Sequence, residues 1–271
     1  MGGNDAINKG EVPFSFGSNW ANFVRLNFSE ERVDIAKRHL MDFMGLRDLK
    51  DKYFLDIGCG SGIHSLAALK ANATKVVSLD VDPESVATTN KIRELHGNPS
   101  NWEVLRGSIL DEEFVAQIRA ADVVYSWGVL HHTGDLWRAV RNGATLVKEG
   151  GIFYIAIYEK TADSDFWIKI KKLYNRSSWP IKKLIELGYV WTVFFRTLSP
   201  AKIKSSISYI TNYKNRRGME FWTDVRDWLG GWPYEPATPE EVTCFCENEL
   251  GLEKVRIKSG DANIEYLFKR K

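Results

Sequence analysis

The sequence predicts an α/β fold in which a parallel sheet carries helices on both faces. Short apolar segments alternate with amphipathic helical segments from about residue 50 to residue 158. A glycine-rich turn follows the first apolar segment, and an aspartate ends the second. These observations together are typical of open parallel sheets that bind a ligand at the carboxyl ends of their strands.

Five strands and four intervening helices are expected in this region. The strands are 53–57, 75–79, 102–105, 122–126 and 151–158, and the helices are 61–71, 83–96, 111–119 and 135–147. A helix over 29–46, capped by Ser29, precedes them. After residue 235, Thr238 and Glu241 have the spacing of a capping box and open a helix through residue 250. A final strand pair is expected at 252–258 and 263–269.

The composition excludes several classes of protein. The chain has 271 residues, of which 44% are apolar and 27% are charged, as in ordinary globular proteins. A net charge of +2 argues against a simple nucleic-acid binder. Three cysteines cannot form a disulfide framework and favour a reducing compartment. With neither a signal-peptide pattern nor a long apolar run, we expect a cytoplasmic protein, with a peripheral position at the inner membrane face as an alternative.

The chain divides into four segments. We expect an N-terminal cap at 1–50, an α/β core at 51–159, an inserted helical segment at 160–235 and a C-terminal completion of the core at 236–271. Residues 160–217 contain 13 Lys and Arg against 3 Asp and Glu. Six of the ten tryptophans lie between 160 and 235. The insert is therefore basic and aromatic, unlike the core.

The glycine-rich turn is the most informative motif. Gly58, Gly60 and Gly62 have the spacing G-x-G-x-G, which differs from the G-x-G-x-x-G fingerprint of dinucleotide sites. Asp56 lies two residues before the first glycine, where a carboxylate suits an ammonium or sulfonium better than a phosphate. Asp80 ends the second strand, where a carboxylate can accept both hydrogen bonds of a ribose diol.

At these residues the chain resembles the class I S-adenosylmethionine-dependent methyltransferases. The matching segments are 55–62, 77–83, 107–111, 123–132 and 146–152. The resemblance implies a Rossmann-like seven-stranded sheet with helices on both faces. It also implies S-adenosylmethionine as cofactor and S-adenosylhomocysteine as product.

The resemblance assigns cofactor-binding roles residue by residue. The first glycine loop of the family holds the methionine part of the cofactor, the acidic residue after the second strand holds the ribose, and residues after the second and third strands flank the adenine. In this sequence the implied residues are Asp56, Gly58, Cys59, Gly60 and Gly62 for methionine, Asp80 for ribose, Val81, Ser108 and Ile109 for adenine, and Ser126 beside the loop.

The loop after the fourth strand is expected to face the methyl group. His131 and His132 are adjacent in it and therefore point in different directions. Either could remove a proton from a hydroxyl acceptor, and the alternative is that both are structural. The segment Ser126-Trp-Gly-Val129 departs from the Asn/Asp-Pro-Pro-aromatic motif of base-amine methyltransferases.

The proposed acceptor is a small molecule. Aromatic side chains suited to a sugar or ring are expected around it at Trp20, Trp127, Trp222, Trp228 and Tyr234. We expect O-methylation of a glycan or lipid-linked ring; alternatives are N-methylation of a small amine, or a membrane-associated scaffold without turnover. No metal is expected, since Cys244 and Cys246 lack a second pair and are interpreted as buried thiols. Nucleic acid is not expected as a partner.

The basic and apolar stretch 169–198 has three interpretations. It could be a lid over the acceptor, a surface that docks on an anionic membrane, or a helical core or dimer face. Families that methylate polyprenylated quinone precursors carry an insert at the same point of the fold. The sequence does not determine the oligomeric state.

Overall fold

The structure, a computed structural model, describes residues 16–195, 199–213, 221–260 and 263–271. Its centre is a seven-stranded sheet with the strand order β3-β2-β1-β4-β5-β7-β6. The strands are β1 Tyr53–Ile57, β2 Lys75–Asp80, β3 Trp102–Arg106, β4 Ala121–Trp127, β5 Val147–Tyr158, β6 Leu252–Ser259 and β7 Asn263–Arg270. The first five are parallel, and β7 is antiparallel to both β5 and β6. The predicted α/β class and seven-stranded sheet are confirmed.

Helices cover both faces of this sheet. They are α1 Phe16–Asn27, α2 Glu30–Met44, α3 Ile63–Lys70, α4 Pro83–Leu95, α5 Glu112–Val115 and α6 Leu136–Thr145, followed near the C-terminus by α11 Pro239–Cys244. One buried layer includes Leu55, Val124 and Phe153 against α6 and α11, and the other includes Phe54, Tyr125 and Tyr154 against α2 and α3. Neighbouring residues of a strand point to opposite faces, so both sides of the sheet are buried.

Local signals account for where most helices begin. The Ser29 side chain accepts a hydrogen bond from the backbone of Arg32 at the start of α2, and the Thr238–Glu241 capping box is formed at α11. The α5 helix is shorter than the predicted 111–119. Its last turn tightens to i→i+3 hydrogen bonds, from Gln117 to Phe114 and from Ile118 to Val115, before β4 begins.

The expectation of two buried thiols is wrong for one of them. Cys246 is buried, whereas Cys244 is exposed. The Asn248 amide donates to the Cys244 sulfur at 3.1 Å on the outside of the helix. Two residues correspond to about 200° around a helix, so Cys244, the last residue of α11, and Cys246 point to opposite sides and only Cys246 faces the core.

The insert leaves the core after β5 and returns beside it. The Ala237 N–H donates to the carbonyl of Tyr158, and the Lys160 N–H donates to the carbonyl of Ala237, which joins both ends of the insert. Its described helices are α7 Ser164–Arg176, α8 Trp179–Val190, a π-helical turn Trp191–Phe195, α9 Pro200–Thr211 and α10 Phe221–Gly230. Their inner faces share a separate aromatic cluster that includes Tyr174, Tyr213 and Phe221.

Candidate active site

The glycine loop lies where the sheet order reverses, between the carboxyl ends of β1 and β4, which is the usual ligand crevice of such sheets. Gly58, Gly60 and Gly62 all have positive φ, at 76°, 51° and 77°. A Cβ on Gly58 would lie 2.4 Å from the side chain of Val129, so the loop or that side chain would have to move. The loop therefore needs glycine for both backbone conformation and space.

Asp80 stands at the rim of this crevice. One carboxylate oxygen accepts the Gly60 N–H at 3.0 Å and the other accepts the Asp82 N–H at 2.9 Å. Burial raises the pKa of Asp80, and these backbone hydrogen bonds oppose that effect. The carboxylate is thus fixed in orientation at the end of β2, and it lines the cavity beside Val81, Ser108 and Ile109.

Asp56 is held by a buried chain of hydroxyl groups. The Trp102 indole donates to Ser78 at 2.8 Å, Ser78 donates to Ser65 at 2.6 Å, and Ser65 donates to Asp56 at 2.5 Å. Burial raises the pKa of Asp56 to about 7, the Ser65 hydrogen bond lowers it, and the charge of nearby Asp80 raises it further. A buried carboxylate with this pKa on a cavity wall favours a cationic ligand group.

The cavity that these residues line is large. It measures about 2030 Å³ and runs from the glycine loop into the aromatic interior of the insert. Pockets for one small ligand span about 300–1,000 Å³, so the space suffices for a nucleoside cofactor and a second molecule. Among the described residues, no cluster of three or more His, Cys, Asp or Glu side chains could hold a metal ion.

The α1 helix closes one side of the cavity. The indole of Trp20 lies over Gly60, the Gly17 N–H donates to Asp82 at 2.9 Å, and the Phe16 ring lies 5.0 Å from the ring of His132. Asn19 joins the same helix to the insert, since its amide donates to Asp227 at 2.7 Å and to the Thr223 carbonyl at 3.2 Å. The sequence predicts a cap here but not a helix over 16–27.

The two histidines have different surroundings. His131 is fully buried, accepts the Tyr158 N–H on Nδ1 at 3.3 Å, and lies off the cavity wall. His132 lines the cavity, and its Nδ1 lies 2.5 Å from the Pro233 carbonyl, so Nδ1 carries the proton. Burial and the charge of Lys171 lower the pKa of His132 to about 3, so its imidazole is neutral at physiological pH.

A buried lysine supports the far wall. Lys171 is fully buried and donates to the carbonyl of Trp228, with the rings of Tyr158, Trp228 and Tyr234 within 5.6 Å. Burial lowers the pKa of Lys171 to about 7, and Asp227 raises it. Lys171 and Tyr158 were not predicted as site residues, because nothing local separates Lys171 from its neighbours Lys169 and Lys172.

The remaining predicted residues divide between the cavity wall and its supports. Trp20, Trp127, Trp228 and Tyr234 line the cavity, as do Cys59, Gly58 and Gly60. The others lie behind it: the Ser126 hydroxyl donates to the Ile57 carbonyl at 3.0 Å, Gly62 packs on Thr89, and Trp222 packs on Phe221. Burial raises the pKa of the Cys59 thiol well above its ordinary value, which does not suit a nucleophile.

Comparison with known proteins identifies the core. A family model described as a methyltransferase domain matches residues 55–153. These residues are a class I S-adenosylmethionine-dependent methyltransferase domain. The ribosomal protein L11 methyltransferase of Acinetobacter baumannii is 38% identical over 125 residues, 45% of this chain and 40% of that protein. The tRNA U34 carboxymethyltransferase of Cellvibrio japonicus is 32% identical over 145 residues, 51% of this chain and 44% of that protein.

Solved methyltransferases share the fold of almost the whole chain. An O-methyltransferase family protein from Burkholderia thailandensis matches with a TM-score of 0.57 and 16% identity, over 98% of this chain and 65% of that one. Magnesium protoporphyrin IX methyltransferase from Synechocystis PCC 6803 matches with a TM-score of 0.53 and 14% identity, over 94% of each chain. At these identities the likeness concerns the fold alone.

The residues of the crevice fit the cofactor of the domain family. The positive-φ glycines keep the loop wall free of side chains, buried Asp56 offers a carboxylate for an ammonium, and Asp80 presents a fixed carboxylate for a diol. A dinucleotide would bring its pyrophosphate to the glycine loop, close to the Asp56 carboxylate, which would repel it, whereas a carboxylate at the position of Asp80 can hold the ribose of either cofactor. The arrangement therefore suits S-adenosylmethionine better than NAD.

Proposed function

We propose that this protein is an S-adenosylmethionine-dependent methyltransferase that methylates a hydroxyl oxygen of a small, ring-containing molecule. The observation that carries the proposal is one continuous cavity in which the glycine loop and Asp80 lie at one end and aromatic rings at the other. His132 lies on the wall of this cavity with its Nδ1 proton already fixed. The matched relatives share less than half of their length with this chain, so their acceptors do not carry over.

In this reaction the chain mainly positions two molecules, since S-adenosylmethionine supplies an activated methyl group on a sulfonium. Asp56, Asp80 and the glycine loop would orient the donor for an in-line displacement. The acceptor oxygen forms the new C–O bond as the C–S bond breaks, and the electron pair of that bond stays on sulfur. Aromatic side chains around the cavity exclude water and favour a flat or apolar acceptor.

His132 is the group that would accept the proton of the acceptor hydroxyl. With Nδ1–H donating to Pro233, the lone pair of this imidazole is on Nε2. A pKa of about 3 makes it a weak base, so it would not ionise a free alcohol. An alcohol that has already begun to bond to the methyl group is a far stronger acid than imidazolium. The proton therefore moves late, during or after methyl transfer, and His132 is sufficient for that step.

N-methylation of a small amine is a second candidate that one observation favours. Asp224 and Asp227 line the same chamber as the aromatic rings, and carboxylates beside rings attract a cationic amine. Burial and the charge of Asp224 raise the pKa of Asp227, whereas Asn19 and Lys171 oppose this effect. A cationic amine bound there would lose its proton to one of these carboxylates or to water before it reacts. It would therefore not need His132, so the two candidates differ in their dependence on this residue.

A turnover assay tests the proposal. The protein is incubated with methyl-labelled S-adenosylmethionine and a panel of phenols, polyols and small amines, and S-adenosylhomocysteine formation is measured. With a phenol or polyol acceptor, His132→Gln should lower kcat by about tenfold with little change in cofactor affinity, less than the loss of about 100-fold or more expected for a base whose pKa lies near the working pH. Turnover on amines alone, unaffected by His132→Gln, would favour the second candidate. Cofactor binding without turnover on any acceptor would favour a scaffold.

A further inference from the structure

The outer surface of the insert carries an unusual density of exposed apolar side chains. On α8 and the following π-helical turn, Ile181, Leu184, Leu187 and Trp191 follow one another at helical spacing, and all are exposed. Leu184 is 68% exposed and Trp191 is 56% exposed. We refer to these four residues as the apolar stripe. The opposite face of α8 is buried through Glu186 and Val190.

The helices on either side of α8 add basic groups to exposed apolar ones. On α7, Phe166, Lys169, Leu173 and Arg176 lie along one exposed stripe. On α9, Lys204 and Ile207 have the same arrangement. The inner faces of α7, α8 and α9 all pack into the shared aromatic cluster, so these stripes form the outside of the insert.

Negative charge is scarce on this surface. From residue 164 to residue 211, which spans α7, α8 and α9, the sequence contains nine Lys and Arg, of which Lys171 is buried, against two acidic residues: Asp165, exposed at the start of α7, and Glu186. That glutamate is buried, accepts the Tyr174 hydroxyl at 2.8 Å and pairs with Lys183 at 2.8 Å. It therefore does not offset the positive field outside the insert.

We propose that the outer surface of the insert, centred on the apolar stripe, docks on an anionic lipid membrane. The stripe would enter the boundary between headgroups and acyl chains, while lysines and arginines of α7 and α9 contact anionic headgroups. None of the described helices is long and apolar enough to cross a membrane, so the contact is a surface one. The proposal does not depend on the methyl acceptor.

Two other occupants fit the surface less well. A second copy of this chain would bring two positively charged surfaces together, and like charges across an interface are unfavourable. Single-stranded nucleic acid would find cations and the exposed rings of Phe166, Trp179 and Trp191. The centre of the surface is aliphatic, however, at Leu184 and Leu187, where bases have no ring to stack on. An anionic membrane offers acyl chains to the aliphatic residues of the stripe and negative headgroups to the lysines and arginines beside it.

Vesicle co-sedimentation of the full chain tests this proposal. The vesicles are phosphatidylcholine alone, or phosphatidylcholine with about 30% phosphatidylglycerol, and protein in the pellet is measured at 0.1 M and 0.5 M NaCl. We expect binding to the anionic vesicles at low salt, at least tenfold weaker binding to the neutral ones, and weaker binding at high salt, because screening acts on headgroup contacts.

Three variants assign the binding to this surface. L184E/W191E should lower the affinity for anionic vesicles at least tenfold, and K169E/K204E should remove most of the difference between anionic and neutral vesicles. L95E is the matched control, because Leu95 is 65% exposed on α4 of the core, and it should bind like the wild type. Circular dichroism and S-adenosylhomocysteine titration establish that each variant is folded.

Defined results would overturn the proposal. One is that the wild-type protein stays in the supernatant when anionic vesicles are sedimented. The other is that L184E/W191E binds anionic vesicles as well as the wild type does. A dimer in light scattering that L184E/W191E converts to monomer, without vesicle binding by the wild type, would assign the surface to a second copy. Binding of an RNA oligonucleotide that K169E/K204E abolishes, again without vesicle binding, would assign it to nucleic acid.

Discussion

Asp80 illustrates how single residues prepare the crevice for its ligand. Backbone N–H groups of Gly60 and Asp82 fix both of its oxygens, so the carboxylate is oriented without a bound molecule. A carboxylate oxygen has more than one lone pair, and each can still accept a ribose hydroxyl. The residue thus supports the loop and serves as a potential ligand-binding group.

Replacing Asp80 by Ala should weaken S-adenosylhomocysteine binding by about 100-fold or more, because each of the two ribose hydrogen bonds to this charged group contributes roughly 1.5–3 kcal/mol. Isothermal calorimetry measures the change. Glu94→Ala is the control, since Glu94 is an exposed carboxylate on α4 that does not line the cavity. Equal affinities for wild type and Asp80→Ala would show that Asp80 does not hold the ribose.

Asp56 gives a prediction about stability and pH. Its pKa is about 7 in the fold and 3.8 in the unfolded chain, so the folded state holds this proton more tightly. The stabilisation is therefore fully present below pH 3.8 and is lost as the pH rises through 7. From pH 5 to pH 7.5 the free energy of unfolding of the cofactor-free wild type should fall by about 2–3 kcal/mol. The Asp56→Asn variant, which has no carboxyl group at this position, should not show this fall. Urea titrations at both pH values measure this difference, and identical pH dependence in the two proteins would contradict it.

At the scale of elements, a buried hydrogen-bond chain joins four of them. Trp102 of β3, Ser78 of β2, Ser65 of α3 and Asp56 of β1 are linked in sequence beneath the cofactor crevice. Removing one member leaves buried polar atoms without a partner, which costs more than an exposed hydrogen bond does. This series of hydrogen bonds therefore sets the position of the Asp56 carboxylate.

Ser65→Ala should lower the free energy of unfolding by about 1–3 kcal/mol, because Asp56 and Ser78 each lose a partner. Ser85→Ala is the matched control: Ser85 is also buried, but its hydroxyl has no hydrogen-bond partner among the described residues. The Ser85→Ala substitution should leave the free energy of unfolding unchanged or raise it slightly. Chemical denaturation of both variants measures the free energy of unfolding. An equal loss of this free energy in the two variants would mean that the series of hydrogen bonds does not stabilise the fold.

The α1 helix couples the cofactor crevice to the insert, because Asn19 is bonded to α10 while Trp20 covers Gly60. Asn19→Ala should loosen this contact and raise amide hydrogen exchange across residues 16–28, leaving the sheet unaffected. Asn22→Ala on the exposed side of the same helix is the control. If both variants exchange like the wild type, the Asn19 contacts do not hold α1 in place.

At the scale of the whole molecule, the sheet was predictable because its signals are local. Apolar runs bounded by glycine, aspartate and capping residues predicted each strand of the parallel core to within a few residues. The acidic residues and glycines could then be predicted to lie close together, since the carboxyl ends of parallel strands meet at one edge of the sheet. The shortened α5 departed from the prediction where the helix changed its hydrogen-bonding pattern, and the exposed Cys244 departed from it because residues two apart on a helix face opposite sides.

The acceptor chamber was less predictable because its residues meet across long sequence distances. Lys171 lies in a run of lysines, and only packing against Tyr158, Trp228 and Tyr234 distinguishes it. Adjacent histidines were expected to point in different directions, but the 3₁₀ turn Leu130–His132 determines which one faces the cavity. Trp222 and Trp228 lie six residues apart on α10, so they occupy different faces of the helix.

The most direct test is calorimetric titration of the 271-residue chain with S-adenosylmethionine, S-adenosylhomocysteine and NADH. Both sulfur compounds should bind at a single site, and NADH should not bind. Saturating NADH binding, with no heat from either sulfur compound, would contradict the assignment of the crevice to S-adenosylmethionine.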